Sequence, residues 1–155
     1  MPIRNSVKAV IVQDQKILTI VKQDENGESY YLLPGGGQEH GENFHETLAR
    51  ECREEIGAEV EIGDLLFIRE YIGRNHEHAE FDYNVHQIEY MFVCHLIAGG
   101  EQIGIGSNPD DGQIGIEWLP MSSLLEYRFY PQTLRQYYLD YFNGVRHPVY
   151  LGDVN

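Results

Sequence analysis

The sequence predicts an α/β domain in which a mixed central sheet carries few helices. Three observations lead there. Runs of β-type residues lie on both sides of one strongly helix-periodic segment, Gly- and Pro-rich breaks separate them, and no repeat, low-complexity tract or linker divides the chain. The 155 residues, 42% hydrophobic and 12% aromatic, hold enough apolar material for a core, so residues 1–155 are read as a single domain.

Ser6 to Val12 is β-rich, and Ile17 to Val21 repeats the pattern after the polar break Gln13 to Gln15, so the two read as a hairpin. Asp24 to Glu28, with Asn26-Gly27, is a turn, and Ser29 to Leu33 is a short strand. Pro34-Gly35-Gly36-Gly37 is then expected to leave regular structure as a shaped loop. Asn43 with Glu46 three residues on resembles a capping box, and Phe44, Leu48, Cys52 and Ile56 recur every fourth residue. A helix over 44–56, stopped by Gly57, follows. Val60 to Tyr71 and Ile88 to Leu96 are long strands, and the polar stretch Gly73 to Asn84 between them predicts a long loop or protruding hairpin. Gly-rich Ala98 to Gly115, containing Pro109-Asp110-Asp111, predicts a surface loop. Ile116 to Leu119 is a last short strand, Pro120 opens a helical turn over Ser122 to Leu125, and Thr133 to Phe142 is a helix ended by Gly144.

Asp and Glu number 25 against 11 Lys and Arg, a formal charge of −14 with a pI near 4.7. That balance argues against a general nucleic-acid binder, which needs a basic field. An anionic substrate would have its charge met by divalent cations held on clustered carboxylates. Cys52 and Cys94 sit in apolar patterns and read as buried reduced thiols, which suits the cytoplasm. The longest apolar run near the N-terminus, Ala9 to Val12, is far short of a signal or membrane segment, so no membrane partner is expected.

On the predicted helix, Glu51, Glu54 and Glu55 stand at i, i+3 and i+4 and share one face. Like charges so placed cost roughly 0.2–0.5 kcal/mol per pair, which is odd for a helix selected for stability alone. Bound hard cations reverse that sign. Phe44, Leu48, Cys52 and Ile56 point inward and leave the acids on the flank, toward the Gly-rich segment. Exposed amides beside a metal-loaded helix form a plausible pyrophosphate site.

Gly36, five residues, Glu42, seven residues, then Arg50-Glu51-Cys52-Arg53-Glu54-Glu55-Ile56-Gly57-Ala58 is similar to the Nudix box, Gly-x5-Glu-x7-Arg-Glu-U-x-Glu-Glu-x-Gly-U, where U is bulky and apolar. Every fixed polar and glycine position agrees; Cys52 and Ala58 are smaller than usual at U positions. The Leu33-Pro34 lead-in and Glu117-Trp118-Leu119-Pro120 also look like that family. The resemblance implies a Nudix α/β/α sandwich that hydrolyses a phosphoanhydride bond in a nucleoside diphosphate linked to another moiety, with Mg²⁺ or Mn²⁺ as cofactor. By the same resemblance Glu51, Glu54 and Glu55 match the metal-binding acids and the carbonyl of Gly35 a further ligand. Arg50 matches the arginine that orients the box carboxylates, with Glu46 and Glu54 each four residues from it, and Glu42 matches the acid just behind the metals. Glu55 is the favoured general base. Asp110, Asp111 and Glu117 are distal candidates for base or metal ligand, against the plainer reading of a solvated turn and a strand edge.

Nucleotide sugars, nucleoside triphosphates and ADP-ribose stay open as substrates, because Gly73-Arg74-Asn75-His76 carries neither the proline nor the tyrosine that marks two of the subfamilies. No substrate-binding residue is assigned, though Arg69 and Arg74 are available to phosphates. The partner is a small nucleotide; a homodimer is left open, with the tail Arg146 to Asn155 able to cover a neighbour. The alternative is a catalytically weak nucleotide-sensing or regulatory Nudix domain, against which the intact box speaks. A prenyl diphosphate isomerase of the same fold would carry an added cysteine motif that this chain lacks.

Other motifs read as structure. His76, His78 and His86 with Glu77, Glu80 and Asp82 have no zinc spacing. Aligning Ser107 to Gly112 with a calcium loop puts Pro109 at a ligand position and Trp118 where a Glu is required. Tyr71, Phe81, Tyr83, Tyr90, Phe92, Phe129 and Tyr130 offer candidates for base stacking, with core packing favoured for each. Tyr137, Tyr138 and Tyr141 read as a stripe of core or dimer contacts.

Overall fold

A computed structural model describes residues 2–97 and 103–155, so the 98–102 part of the predicted surface loop lies outside the described residues. Asp14 and Gln15 have φ of 50° and 63°, and this left-handed pair reverses the chain between β1 (Arg4–Gln13) and β2 (Lys16–Gln23), as primed hairpin turns do. β1 pairs with β2 only at Val12↔Ile17 and Gln13↔Lys16, which leaves its first half with a free edge. After β3 (Ser29–Leu32) the glycines fill that edge as β4 (Gly35–Gly37), antiparallel to β1 through Ser6↔Gly37, Val7↔Gly36 and Lys8↔Gly35. Residues 35–37 of the expected loop therefore form a strand. Glycine is required there because a Cβ on Gly35, whose φ is +144°, would run into the Val7 carbonyl oxygen.

Helix α1 (Phe44–Ile56) has its predicted bounds and both halves of the capping box: the Glu46 N–H donates to Asn43 Oδ1 (2.8 Å) and the Asn43 N–H donates to Glu46 Oε1 (3.0 Å). Gly57 closes it at φ 63°. β5 (Val60–Ile72) and β6 (His86–Leu96) follow, separated by a 3₁₀ turn at Gly73–Asn75 and a short α2 (Ala79–Asp82), where a loop or hairpin was expected. Short i→i+3 and i→i+4 bonds among residues 73–85 satisfy backbone groups that a polar sequence cannot place in a sheet. β7 (Gln113–Pro120) begins earlier than predicted, because Gln113 to Gly115 extend the pairing with β2. A 3₁₀ segment at Met121–Glu126 and α3 (Leu134–Phe142) precede β8 (Tyr150–Asp153). Within the chain, the end of the tail pairs in parallel with β5.

The strands run in the order β3-β2-β1-β6-β5-β8, with β4 on β1 and β7 on β2. β1 and β6 are parallel, as are β5 and β8, so the sheet is mixed as predicted. Alternation along β1 splits the core in two. Val7, Ala9 and Ile11 pack with Leu48, Cys52 and Ile56 of α1, while Val10 faces Leu134 and Tyr138 of α3 on the other side. The sheet is thereby covered on both faces. Tyr138 is buried in the tyrosine stripe but Tyr141 is exposed, and Phe81 and Tyr83 lie at the surface rather than in the core. Cys52 and Cys94 are buried free thiols. Among the described residues no helix is long and apolar enough to cross a membrane.

Candidate active site

The centre of the site is Arg50, whose guanidinium donates hydrogen bonds to three carboxylates. Its Nε and Nη2 donate in a fork to the two oxygens of Glu42 (2.7 and 3.0 Å), and its Nη1 donates to Glu51 Oε1 (3.1 Å) and Glu54 Oε2 (3.2 Å). Nη2 also donates to the Gly37 carbonyl (3.2 Å), tying α1 to β4. Arg50 holds the Glu42 carboxyl well below the usual range, at about 2. Glu46, expected as a partner of Arg50 from helical spacing, is taken by the capping box instead. The turn before the helix folds Glu42 back into the place Glu46 would have had, with the Thr47 hydroxyl donating to it at 3.0 Å.

Glu55 stands apart from that fork. It is 1% exposed, and its Oε1 accepts the N–H of Gly35 at 2.6 Å. Burial pushes its carboxyl up to about 8, against the opposing pull of the Gly35 N–H and Lys8. Burial raises Glu51 as well, with Arg50 opposing it. Gly36 is the cradle for Glu51: a Cβ there would lie 2.5 Å from Glu51 Oε1. Glu51 and Glu55 of one helix thus both meet the glycine strand.

Among the described residues, no three His, Cys, Asp or Glu side chains are drawn together as a metal-binding group. The donor chemistry nonetheless fits a hard divalent cation. Glu51 and Glu54 share one guanidinium with Glu42, the buried Glu55 has no ion-pair partner among the described residues, and every donor is a carboxylate oxygen.

The distal candidates separate. The loop before β7 docks on the end of α1, with the N–H groups of Gly104, Gly106 and Asn108 donating to the carbonyls of Ile56, Glu55 and Glu54. Gln113 Nε2 adds a bond to the Glu55 carbonyl at 2.9 Å. This brings Asp110 near enough for its charge to act on Glu55, while its carboxylate pairs with Lys22 Nζ at 2.8 Å. Asp111 is exposed in the turn, and Glu117, on β7, acts on Tyr31 rather than on the box.

The three histidines go to separate partners: His76 to Asp153, His86 to Glu70 (2.9 Å), and His78 against Tyr130. Arg69, considered free for phosphate, is buried and donates to Glu89 Oε1 (2.7 Å) and the Val154 carbonyl (2.7 Å); Arg74 is exposed. A cleft of about 780 Å³ that the sequence did not show is lined by residues outside the box, Tyr30, Leu32, Arg69, Tyr71, Arg128 and Tyr130 among them. These residues come from distant segments, and the sequence signal was only the unassigned aromatics.

A mixed sheet between helices, with a capped acidic helix pressed on a glycine strand, defines a carboxylate-box hydrolase of the α/β/α kind. The NUDIX domain model matches residues 2–140, and the chain belongs to the NUDIX family. It is 27% identical over 139 residues to the ADP-ribose pyrophosphatase of Methanocaldococcus jannaschii, covering 90% of this chain and 75% of that protein. Its fold resembles a NUDIX hydrolase from Nitrosomonas europaea (TM-score 0.71, 20% identity, covering 96% of this chain and 94% of that one). It also resembles a MutT NUDIX hydrolase from Burkholderia pseudomallei (TM-score 0.67, 20% identity, 87% and 96% covered).

Proposed function

We propose that this chain is a divalent-metal-dependent pyrophosphohydrolase that cleaves the phosphoanhydride of a nucleoside diphosphate linked to another moiety. The observation that carries the reading is the gathering of Glu42, Glu51 and Glu54 on Arg50, with Glu55 buried against Gly35. ADP-ribose is the first substrate assigned, on the strength of the Methanocaldococcus jannaschii relative. Nucleotide sugars and nucleoside triphosphates come next.

Glu51, Glu54, Glu55 and the carbonyl of Gly35 are the groups that would hold Mg²⁺ or Mn²⁺. Such cations, when bound, neutralise pyrophosphate oxygens and acidify a water. Arg50 orients Glu51 and Glu54 toward one side of α1 by donating from one nitrogen to both. Glu55 takes the proton of the attacking water, with Asp110 as the second candidate for that role. Water adds to one phosphorus and the bridging P–O bond breaks; from ADP-ribose the two products leave as phosphomonoesters. Two buried thiols suit a reducing compartment such as the cytoplasm, and residues 1–155 are taken as one functional unit.

The test is incubation with Mg²⁺ or Mn²⁺ and a panel of ADP-ribose, nucleotide sugars, dinucleoside polyphosphates and nucleoside triphosphates, beside Glu54→Gln and chelator controls. Conversion of ADP-ribose to AMP and ribose 5-phosphate that stops in both controls is expected. Turnover that survives chelation, or no turnover on any compound, overturns the reading.

A further inference from the structure

The run from His147 to Asn155 is held to the domain largely by polar groups. Every residue from 141 to 150 is exposed, and in the strand that follows Leu151 and Val154 pack against the core while partly exposed themselves. The backbone ladder is short, with β8 meeting β5 at Ile68↔Tyr150, Arg69↔Gly152 and Glu70↔Asp153. Apolar anchorage this slight leaves side-chain hydrogen bonds and charge to decide whether the run stays docked.

Three of the chain's seven histidines stand along this run, each against a carboxylate. At its start, His147 Nε2 lies 2.7 Å from Asp140 Oδ2 of α3, to which Gln136 also donates, and the imidazole meets the Tyr137 ring. At β8, His86 Nε2 lies 2.9 Å from Glu70 Oε1 while the Tyr150 hydroxyl donates to Glu70 Oε2, with Asp153 close enough for its charge to act on Glu70. Near its end, His76 Nε2 lies 2.5 Å from Asp153 Oδ1, which also accepts the Ile72 N–H, and Asn75 donates to Oδ2. His76 stacks on Tyr71, whose hydroxyl donates to Asp82 and whose ring lies under Arg69; Glu77 and His78 follow in the chain. Tyr150 and His86 hold Glu70 below the ordinary carboxylate range, His147 and Gln136 do the same for Asp140, and, against the opposing effect of burial, Asn75 and His76 do so for Asp153. Each pair is ionic while the imidazole carries its proton and a neutral hydrogen bond once it does not. Docking is therefore favoured by bound protons, and it weakens as pH rises through roughly 6 to 7, where histidine ordinarily discharges.

We propose that residues 147–155 form a pH-sensitive strap at the rim of the large cleft, latched by protonated His76, His86 and His147 and loosened as they discharge. What the strap holds is Arg69. The Arg69 Nη1 donates to the Val154 carbonyl (2.7 Å) and to Asn155 Oδ1 (3.3 Å), and the Thr133 hydroxyl donates to the Asn155 carbonyl (2.7 Å). Arg69, Tyr71, Asp82 and Asn155 all line the cleft, so the strap and one cleft wall share residues. Loosening it takes two acceptors from a buried guanidinium and leaves that group on Glu89 and the Tyr71 ring. A partly exposed ion pair contributes little alone, but three set along one short run act on the same docking step. The inference is independent of the hydrolase reading.

Amide exchange of the full chain in EDTA, followed by nuclear magnetic resonance, tests it. The Ile68 N–H donates to the Val149 carbonyl, the Ile72 N–H to Asp153 and the Val154 N–H to the Glu70 carbonyl, so protection at these three positions reports docking of the strap. The variant His76→Gln/His86→Gln/His147→Gln keeps side-chain hydrogen-bonding groups and carries no charge at those positions. At pH 5.5 wild type is expected to protect the three amides about tenfold more than the variant, and at pH 8.5 the two should agree. Amides of α1 should agree at both pH values, which shows that the variant is folded. A second measurement needs no variant: in wild type the Ile72 and Val154 amide resonances should shift over the same pH range as the imidazoles of His76 and His86. Equal protection at pH 5.5, a difference undiminished at pH 8.5, or amide resonances that do not follow the imidazoles would each overturn the proposal.

Discussion

Replacing Glu55 with Gln isolates the electrostatics of the buried acid. Glutamine keeps an oxygen for the Gly35 N–H and removes the charge, so packing is preserved. In the metal-free protein the carboxyl titrates at about 8 against an ordinary value of 4.5, chiefly because burial disfavours its ionised form. The folded state therefore keeps a proton that the unfolded chain releases, and stability falls as pH rises from about 4.5 to about 8. Between pH 5 and pH 9, at about 1.36 kcal/mol per unit, wild type is expected to lose on the order of 4 kcal/mol relative to Glu55→Gln. With an ordinary urea slope of about 2 kcal/mol per molar, that is a relative midpoint shift of roughly 2 M. The assay is urea unfolding of both proteins in EDTA at the two pH values, which cancels every group they share. Saturating Mg²⁺ at pH 9 should restore wild type more than the variant, since the cation requires the ionised acid. Parallel unfolding curves, with no change in the difference between pH 5 and pH 9, would refute the argument.

Gly36→Ala should displace Glu51 and weaken Mn²⁺ binding by about 10–100-fold, read by electron paramagnetic resonance, with the circular dichroism spectrum retained. Asn43→Ala removes one half of the capping box and should cost about 0.5–2 kcal/mol in urea unfolding. Arg50→Lys keeps the charge but loses the fork to Glu42 and the shared contacts to Glu51 and Glu54, so kcat is expected to fall about 100-fold with little change in KM for ADP-ribose. Gly106→Ala would drive a Cβ into the Arg53 carbonyl oxygen, and faster amide exchange at positions 104, 106 and 108 should report the loop leaving α1.

Helix α1 was legible because everything that specifies it is local: Asn43 and Glu46 at its start, one apolar stripe, Gly57 at its end. The box acids were legible for the same reason, as helical spacing alone gathers them on one face. β4 was not, because three glycines carry no side-chain period and their pairing depends on an edge that β1 leaves open much earlier in the chain. Arg50 shows the limit inside a legible motif. Spacing pointed to Glu46, but the cap competes for that side chain and the preceding turn returns Glu42 to the guanidinium. The aromatic cleft was illegible for a different reason: Tyr30, Arg69 and Tyr130 are far apart in the chain, and only sheet order brings them together. β8 is four residues long, with too little pattern to separate it from a loop.

The loop that ends at β7 takes three successive carbonyls from the final turn of α1. A helix end normally leaves such groups to water, where they are indifferent to what lies beyond. Here they act as a ruler. The distance from the box glutamates to Asp110 is measured out chiefly by these backbone bonds, with the Gln113 side chain adding one to the Glu55 carbonyl, so insertions or deletions between Gly104 and Asn108 would shift the register of that measurement. The exposed Asp111 side chain can change without disturbing it, whereas Asp110 also holds Lys22 at 2.8 Å. A change in loop length would therefore move the turn relative to the box, while a change of residue at position 111 would leave it in place.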